Sequence, residues 1–583
     1  MFTTDTNQSM YAYIKENNLD DEAVKLIYYG RRLTFGKVWH DVDCLATFLY
    51  EHGVKKGDSV VLCLPNIPQA VVALYAVNKI GAIANIVHPK IGTKALLKII
   101  RETATSWVFL YSKACIQHGK ALKKEGVNTV NCRIGEYMGG IKKLIVGLNE
   151  LVTCGHATFD FRRTVMRKVE LDVPVGGKEP AVYLHSSGTT GQPKTVVLSS
   201  YAMNELAGKA CPWVGEQVGL GRGDSSVMLL PLFHGFGLGV CLHYPMLSGK
   251  NILLPAFEAK KAVELIKKYP SSMVCAVPSM LSRMYKQKDF VGPHLKSIKT
   301  FFIGGDKLDD KLRETVEKTL EECGSSARLY EGFGLSEFSS LTHLNIKHRT
   351  DGTVGQPMPT VRAKIMDKEG NECPRGTEGE LYLTGTSMMI GYLNQKTDFV
   401  QDEQGVNWFP TGDYGYIDED DFLYYRGRLK RLIKIGGVNI FPQEVETVAC
   451  TLREVENACA VRITQNGKPA IRLLVVLREK GHLTPRLKSK IKDVVRDNIL
   501  PYAVPREIEA VDSIRLNTMG KSDYKFYEDG EKGKGSAPVG REKRDKNRKN
   551  KNKKARKEYT VVRRSIPVRQ DNAKTEAEKQ KGE

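Results

Sequence analysis

His185-Ser186-Ser187-Gly188-Thr189-Thr190-Gly191-Gln192-Pro193-Lys194 decides how the chain is read: it is a hydroxyl- and glycine-rich loop between two short apolar runs, residues 181–184 and 196–198. Glycines let backbone N–H groups approach phosphate oxygens, Ser and Thr hydroxyls add rotatable donors, and Lys194 supplies a cation, so the stretch predicts a phosphate cradle. A flexible Ser/Gly linker is the plain competitor. It is disfavoured because linkers seldom carry a Pro-Lys ending with β-branched runs on either side, the pattern of strand, loop, strand. A Walker-type loop, G-x-x-x-x-G-K-[ST], fails at Pro193, which stands where the second glycine is required, and residues after Lys194 read as a strand where a helix should open.

The full stretch closely resembles the phosphate-loop signature of the adenylate-forming superfamily, which includes acyl-CoA synthetases, aryl-CoA ligases, peptide-synthetase adenylation domains and beetle luciferases; the chain is most like an acyl-CoA synthetase. The resemblance implies that Ser186, Ser187, Gly188, Thr189, Thr190, Gly191 and Lys194 bind ATP, with Thr190 also beside a Mg²⁺ ion. Two further strong motifs follow in the family's order. In Tyr330-Glu331-Gly332-Phe333-Gly334-Leu335-Ser336-Glu337, Phe333 offers a flat face for adenine, Glu331, Gly332 and Gly334 lie beside the nucleotide, Ser336 donates to a phosphate oxygen, and Glu337 is a hard oxygen ligand suited to Mg²⁺. In Trp408-Phe409-Pro410-Thr411-Gly412-Asp413, the Asp413 carboxylate accepts from both ribose hydroxyls. Weaker matches are Gly304-Gly305-Asp306, which by resemblance lies along the adenine and the acyl pocket, and Gly379-Glu380-Leu381 with Gly391-Tyr392, read as mainly structural.

Pro231-Leu232-Phe233-His234-Gly235-Phe236-Gly237 looks like the family segment whose His or aromatic residue sits between the acyl pocket and the thiol entry. His234 is therefore a catalytic candidate, and His234, Gly235, Gly237 and Gly305 are the expected acyl pocket. Adenylation domains that take α-amino acids generally place an Asp in this segment, because a buried ammonium needs a counter-charge. None is present here, which favours a carboxylic acid without an α-amino group. Gly235, Gly237 and Gly239 suggest room for an aryl or a medium to long aliphatic chain.

The junction Arg426-Gly427-Arg428-Leu429-Lys430-Arg431-Leu432-Ile433-Lys434-Ile435-Gly436-Gly437 carries several cations that a solvated face would also explain. By resemblance Arg428 contacts ribose or phosphate, and Lys430 is the hinge of a small C-terminal domain. Lys434 joins the catalytic candidates, and Gly436 and Gly437 turn a hairpin toward the pantetheine arm of CoA. Asn517-Thr518-Met519-Gly520-Lys521 ends that domain, with Lys521 at the adenylation lysine. A mobile ammonium there bridges the attacking carboxylate and the α-phosphate as charge builds.

Composition fits this outline. A chain of 583 residues is too long for one core, and 41% hydrophobic with 27% charged residues is ordinary for a globular protein. The twelve cysteines include no C-x-x-C pair, which argues against structural zinc and for a reducing, cytoplasmic setting. No signal peptide and no peroxisomal address are visible. The uncharged run 60–78 is broken by Pro65, Asn66, Pro68 and Gln69 and predicts a buried strand followed by a helix, not a membrane span. Residues 531–583 hold 19 Lys or Arg against 8 Asp or Glu, about half of the net charge of +21. Alternating strands and helices predict βαβ units with a largely parallel sheet; residues 96–176 are weakly patterned apart from a strand at 107–111.

The expected architecture is α/β: a large N-terminal AMP-binding domain of several subdomains over 1–427, a small mobile α+β domain over 428–528, and a basic disordered tail over 529–583. The expected activity is conversion of a fatty or aryl acid by ATP, with Mg²⁺, to acyl-AMP and pyrophosphate, followed by transfer to CoA. The alternatives are loading of an acyl carrier protein, or an inactive ligase scaffold serving as an adaptor whose tail binds RNA, an anionic membrane or an acidic protein.

Overall fold

The computed structural model describes residues 3, 5–139, 157–186, 194–436, 438–465, 467–478, 482–516 and 522–528. Among these, strands gather into two large mixed sheets, a smaller antiparallel sheet, a short hairpin and a C-terminal three-stranded sheet. The architecture is the expected one, a large α/β part followed by a small α+β part.

The first large sheet runs parallel from Pro180–Ser186 through Ile83–Ile86, Ser59–Cys63, Trp107–Tyr111, Asn128–Cys132 and Phe159–Asp160. Every residue of Ser59–Cys63 is buried, as a strand covered on both faces requires. Helix Pro68–Lys79 follows, with proline in its first turn, and is buried along almost its whole length. The interrupted apolar run 60–78 is thus a strand and a helix, and no helix of the described residues is long and apolar enough to cross a membrane. At one edge Pro180–Ser186 turns back antiparallel into Lys194–Ser199, with Ser186 opposite Lys194. The expected strand, loop, strand is therefore a hairpin, although residues 187–193 of its loop lie outside the described part.

The second large sheet has a parallel centre of Val24–Tyr28, Lys250–Leu253, Ser225–Met228, Met273–Ala276, Thr300–Gly304 and Arg328–Leu335. Its register sets Met273 beside Thr300, and Gly304 beside Gly332, so the glycine-bearing strand ends share one edge. In sheets of this kind ligands bind beyond the carboxyl ends of the strands. The antiparallel sheet contributes Asn407–Ile417 paired with Leu423–Arg428, which sets Asp413 opposite Arg428. The C-terminal part has its own core, including Ile433, Val445, Val455, Leu473 and Ile491, built between hairpin Val455–Gln465/Lys468–Leu477, helix Pro442–Cys450 and helix Pro485–Asn498.

Residues 96–176 hold more regular structure than their weak patterning predicts. They contain most of helix Thr93–Glu102, all of helix Ser112–Lys124, and strands Asn128–Cys132 and Phe159–Asp160. The large apolar residues of the first helix, Leu96, Leu97, Ile99 and Ile100, fall within little more than one turn, and lysines occupy much of the second, so neither repeats an apolar pattern over several turns.

Candidate active site

One cleft of about 2730 Å³ gathers most of the expected site residues. Its walls include Ser186, Lys194, His234, Gly235, Gly304, Gly305, Asp306, Glu331, Gly332, Phe333, Gly334, Ser336, Glu337, Asp413, Arg428 and Lys430. Lys434, Gly436 and Gly237 do not line it. Ser187, Gly188, Thr189, Thr190, Gly191, Gly437 and Lys521 lie outside the described residues.

The ribose candidate is held by the strand pair that carries it. Asp413 is 1% exposed, its Oδ1 lies 2.8 Å from Arg428 Nε, and Arg428 Nη1 donates to the Thr411 carbonyl at 2.9 Å. The Thr411 hydroxyl in turn accepts from the Asp413 N–H at 3.0 Å. Burial works against the Arg428 charge, but Asp413, with Tyr425, Glu337 and Tyr392 nearby, keeps its pKa above the ordinary arginine value. Burial, then the Asp413 charge, pushes Tyr425 well up, so its phenol stays protonated. The Tyr425 ring packs 5.4 Å from that of Phe333 at 35°, which fixes the aromatic face that Phe333 offers to the cleft.

Glu337 is oriented by a residue whose motif reads, in sequence, as mainly structural. The Tyr392 hydroxyl donates to Glu337 Oε1 at 2.7 Å, and Lys194 Nζ stands 4.2 Å above the Tyr392 ring. Burial and the adjacent Glu337 charge raise the Tyr392 pKa, so it acts as a donor. Tyr392 also pairs with Val196 across the strand leading out of the loop. One side chain therefore links the phosphate hairpin to the carboxylate. His185, at the start of the hairpin, is anchored and neutral: its ring nitrogens contact Asn85 Oδ1 at 2.7 Å and Thr195 Oγ1 at 3.2 Å, and burial pushes its pKa down to about 4.

Other candidates are engaged within the protein. Glu331 accepts from Arg313 Nη2 at 2.8 Å and from the Leu308 N–H at 3.1 Å, an arrangement that holds the loop following Gly304-Gly305. Asp306 is exposed at the cleft rim and accepts from the Lys307 N–H. The His234 ring lies 4.4 Å from Phe233.

The glycines expected to leave acyl room have a different explanation. A Cβ on Gly235 would meet Ser339 O at 2.7 Å, one on Gly237 would meet Pro231 O at 2.1 Å, and one on Gly239 would meet Leu206 Cδ2 at 2.6 Å. Backbone approach requires glycine at Gly235 and Gly237, whereas at Gly239 the neighbour is the end of the Leu206 side chain. Gly334 is fixed in the same way as the first two, since a Cβ there would meet Ser340 O at 1.7 Å.

At the junction, Arg431 Nη2 lies 2.6 Å from Glu446 Oε1, and its guanidinium stacks 4.7 Å from the Tyr524 ring. Arg428 is thus tied to the large part and Arg431 to the small one, with Leu429 and exposed Lys430 between them. Gly436 takes φ +61° between the paired strands Ile433–Ile435 and Val438–Ile440, as a tight turn needs.

Residues 14–393 match the family model described as AMP-binding enzyme, and residues 444–521 match the AMP-binding enzyme C-terminal domain. A long-chain-fatty-acid–CoA ligase of Bacillus subtilis is 27% identical over 515 residues, covering 85% of this chain and 89% of that relative. ATP-bound MatB from Rhodopseudomonas palustris superposes with a TM-score of 0.76 at 20% identity, over 90% of this chain and 98% of that one. A benzoate CoA ligase from Burkholderia xenovorans gives 0.75 at 19%, over 89% and 99%.

Proposed function

Because the chain belongs to the AMP-binding enzyme family, we propose that it is an acid–thiol ligase. It activates a carboxylic acid without an α-amino group to acyl-AMP, releasing pyrophosphate, and then transfers the acyl group to CoA, releasing AMP. The observation that carries this reading is the convergence of Asp413–Arg428, Glu337–Tyr392, Lys194 and Phe333 on one cleft wall. The similarity to fatty-acid and aryl CoA ligases supports the acid and the thiol.

Each group then has a task. Asp413 accepts from the ribose hydroxyls while Arg428 holds its carboxylate in place, and Phe333 backs the adenine. Lys194 and the hydroxyls of the loop neutralise phosphate oxygens. The Glu337 carboxylate, a hard oxygen donor oriented by Tyr392, fits a Mg²⁺ ion, with Thr190 as a second ligand; bound there, the ion would supply neutralisation of phosphate charge. The acid's carboxylate oxygen attacks the α-phosphorus, pyrophosphate leaves, and the Lys521 ammonium stabilises the charge that builds between them. Turning about Lys430, between the anchors Arg428 and Arg431, then withdraws Lys521 and brings the Gly436-Gly437 turn to the cleft. The CoA thiol attacks the acyl carbonyl and AMP departs, with His234 between acyl group and thiol.

The test separates the half-reactions. Lys521→Ala should slow acyl-dependent pyrophosphate release by about 10²–10³-fold while sparing thioester formation from synthetic acyl-AMP; equal loss of both contradicts the two-conformation scheme. Thioester formed with free CoA, compared with transfer only to a carrier protein, identifies the acceptor.

A further inference from the structure

Below the nucleotide end, the cleft continues as an apolar lobe along one face of the second large sheet. Side chains alternate across a strand. Met273 and Cys275 share a face with Met228, Leu230 and Phe302, while Val274, Ala276 and Ile303 belong to the core on the opposite face. On the first face Leu230, Met273, Val277 and Phe302 line the cleft. The lobe's roof is helix Cys211–Val218 and the segment Phe236–Ser248, contributing Cys211, Val214, Val240 and Tyr244. Both roof helices adjoin or contain wide π-helical turns, Leu206–Ala210 and Phe236–His243. Such turns recur at functional sites.

Among the described residues, the lining of this lobe carries no group charged at neutral pH. Burial raises the Cys211 thiol and the Tyr244 phenol well above their ordinary values. The lobe also has an end. Leu220, Tyr244 and Met273 line both the cleft and a separate void of about 10 Å³, whose other walls include Asp224, Ser225, Ser226 and Ser248. Those three residues are a partition. Behind it there is no room for a chain: the void is closed in by Pro245 and by the segment 224–226, where Asp224 accepts from the Gly221 N–H at 2.6 Å and pairs with Lys299 at 2.9 Å.

We propose that the acyl substrate is a medium-chain aliphatic acid, its tail lying along Leu230 and Phe302, and that Leu220, Tyr244 and Met273 set its maximum length. Met273 and Val277 are four residues apart on one extended segment, a depth of about 13 Å at about 3.3 Å per residue, the reach of roughly ten carbons. A longer tail has to displace the partition, because the void of about 10 Å³ behind it does not hold further carbons. This inference rests on the adenylating function and adds the substrate class to it.

The test measures binding of 5′-O-(N-acylsulfamoyl)adenosines with chains of 4 to 16 carbons to the full-length protein by titration calorimetry. Affinity should rise by about fourfold per methylene to roughly ten carbons, and fall at 14 and 16. Met273→Ala should move the optimum about two carbons longer by vacating side-chain volume, and Val240→Phe should shorten it. Affinity that keeps rising through 16 carbons overturns the length limit and leaves the adenylating function standing. Failure to bind at any length sinks that function and this inference together. Should either variant fail to fold, the wild-type series alone decides.

Discussion

At the nucleotide end of the cleft, Asp413, Arg428, Tyr392 and Glu337 are held as charged and hydrogen-bonded pairs, whereas the lobe from Val277 down to Met273 is walled by apolar side chains, a protonated thiol and a phenol. Both ends are served by the same parallel strands. The carboxyl ends of Thr300–Gly304 and Arg328–Leu335 supply glycines for close approach, and the faces of the same sheet supply Met273 and Phe302. The difference teaches how work is divided in the cleft. Under the proposed function, charge is concentrated where phosphates and a carboxylate would meet, with Asp413 and Arg428 offsetting each other, and the tail of the acid would meet a surface whose contribution grows with area.

The sharpest way to break this contrast is at the Asp413–Arg428 ion pair. Asp413→Ala leaves the half-buried Arg428 without its carboxylate, at a cost of about 1–3 kcal/mol. The melting temperature should fall and ATP binding should be lost, while the chain-length preference of any residual activity stays put. Tyr392→Phe removes one hydrogen bond to a carboxylate, worth about 1.5–3 kcal/mol. It should lower the melting temperature modestly and also slow pyrophosphate release at temperatures where the variant stays folded; unchanged turnover of the folded variant would make Tyr392 a packing residue. At the other end, Gly237→Ala puts a methyl group 2.1 Å from Pro231 O. Calorimetric unfolding should show destabilisation of about 1–3 kcal/mol; an unaltered melting temperature with shortened acyl preference would restore these glycines as acyl room.

The smallest effect concerns acid. His185 is held at about 4, below its ordinary value of about 6.5, so the unfolded chain takes up the extra proton first. Its contribution is therefore present in full above pH about 6.5 and is lost as the pH falls toward 4. His243 and His343, pushed down to about 3 by burial, act in the same direction. In His185→Gln the melting temperature should fall less steeply over that window than in the wild type. Parallel curves would mean that His185 does not titrate with unfolding.

The two ends also differ in how far the sequence reveals them. The polar end is written in contiguous motifs, because phosphate, ribose and metal would each need particular atoms on short, glycine-bearing turns; that Asp413, Glu337 and Lys194 meet in one cleft is foreshadowed by the order of the motifs. Tyr392 is not, since its role depends on contact with Glu337 across 55 residues. The apolar end is equally hidden, because Met273, Val214 and Tyr244 look like any core residues until strand register shows which face they share. Gly235, Gly237 and Gly239 are ambiguous for a related reason: glycine marks close approach, and sequence alone does not say whether ligand or protein approaches.

The central claim is that the acid's own oxygen bonds to the α-phosphorus. Turnover of a carboxyl-¹⁸O-labelled decanoate with ATP and CoA, followed by mass analysis of the products, tests it directly. One labelled oxygen should appear in AMP and none in pyrophosphate. Label in inorganic phosphate with release of ADP, or unlabelled AMP from single-turnover reactions, would contradict it.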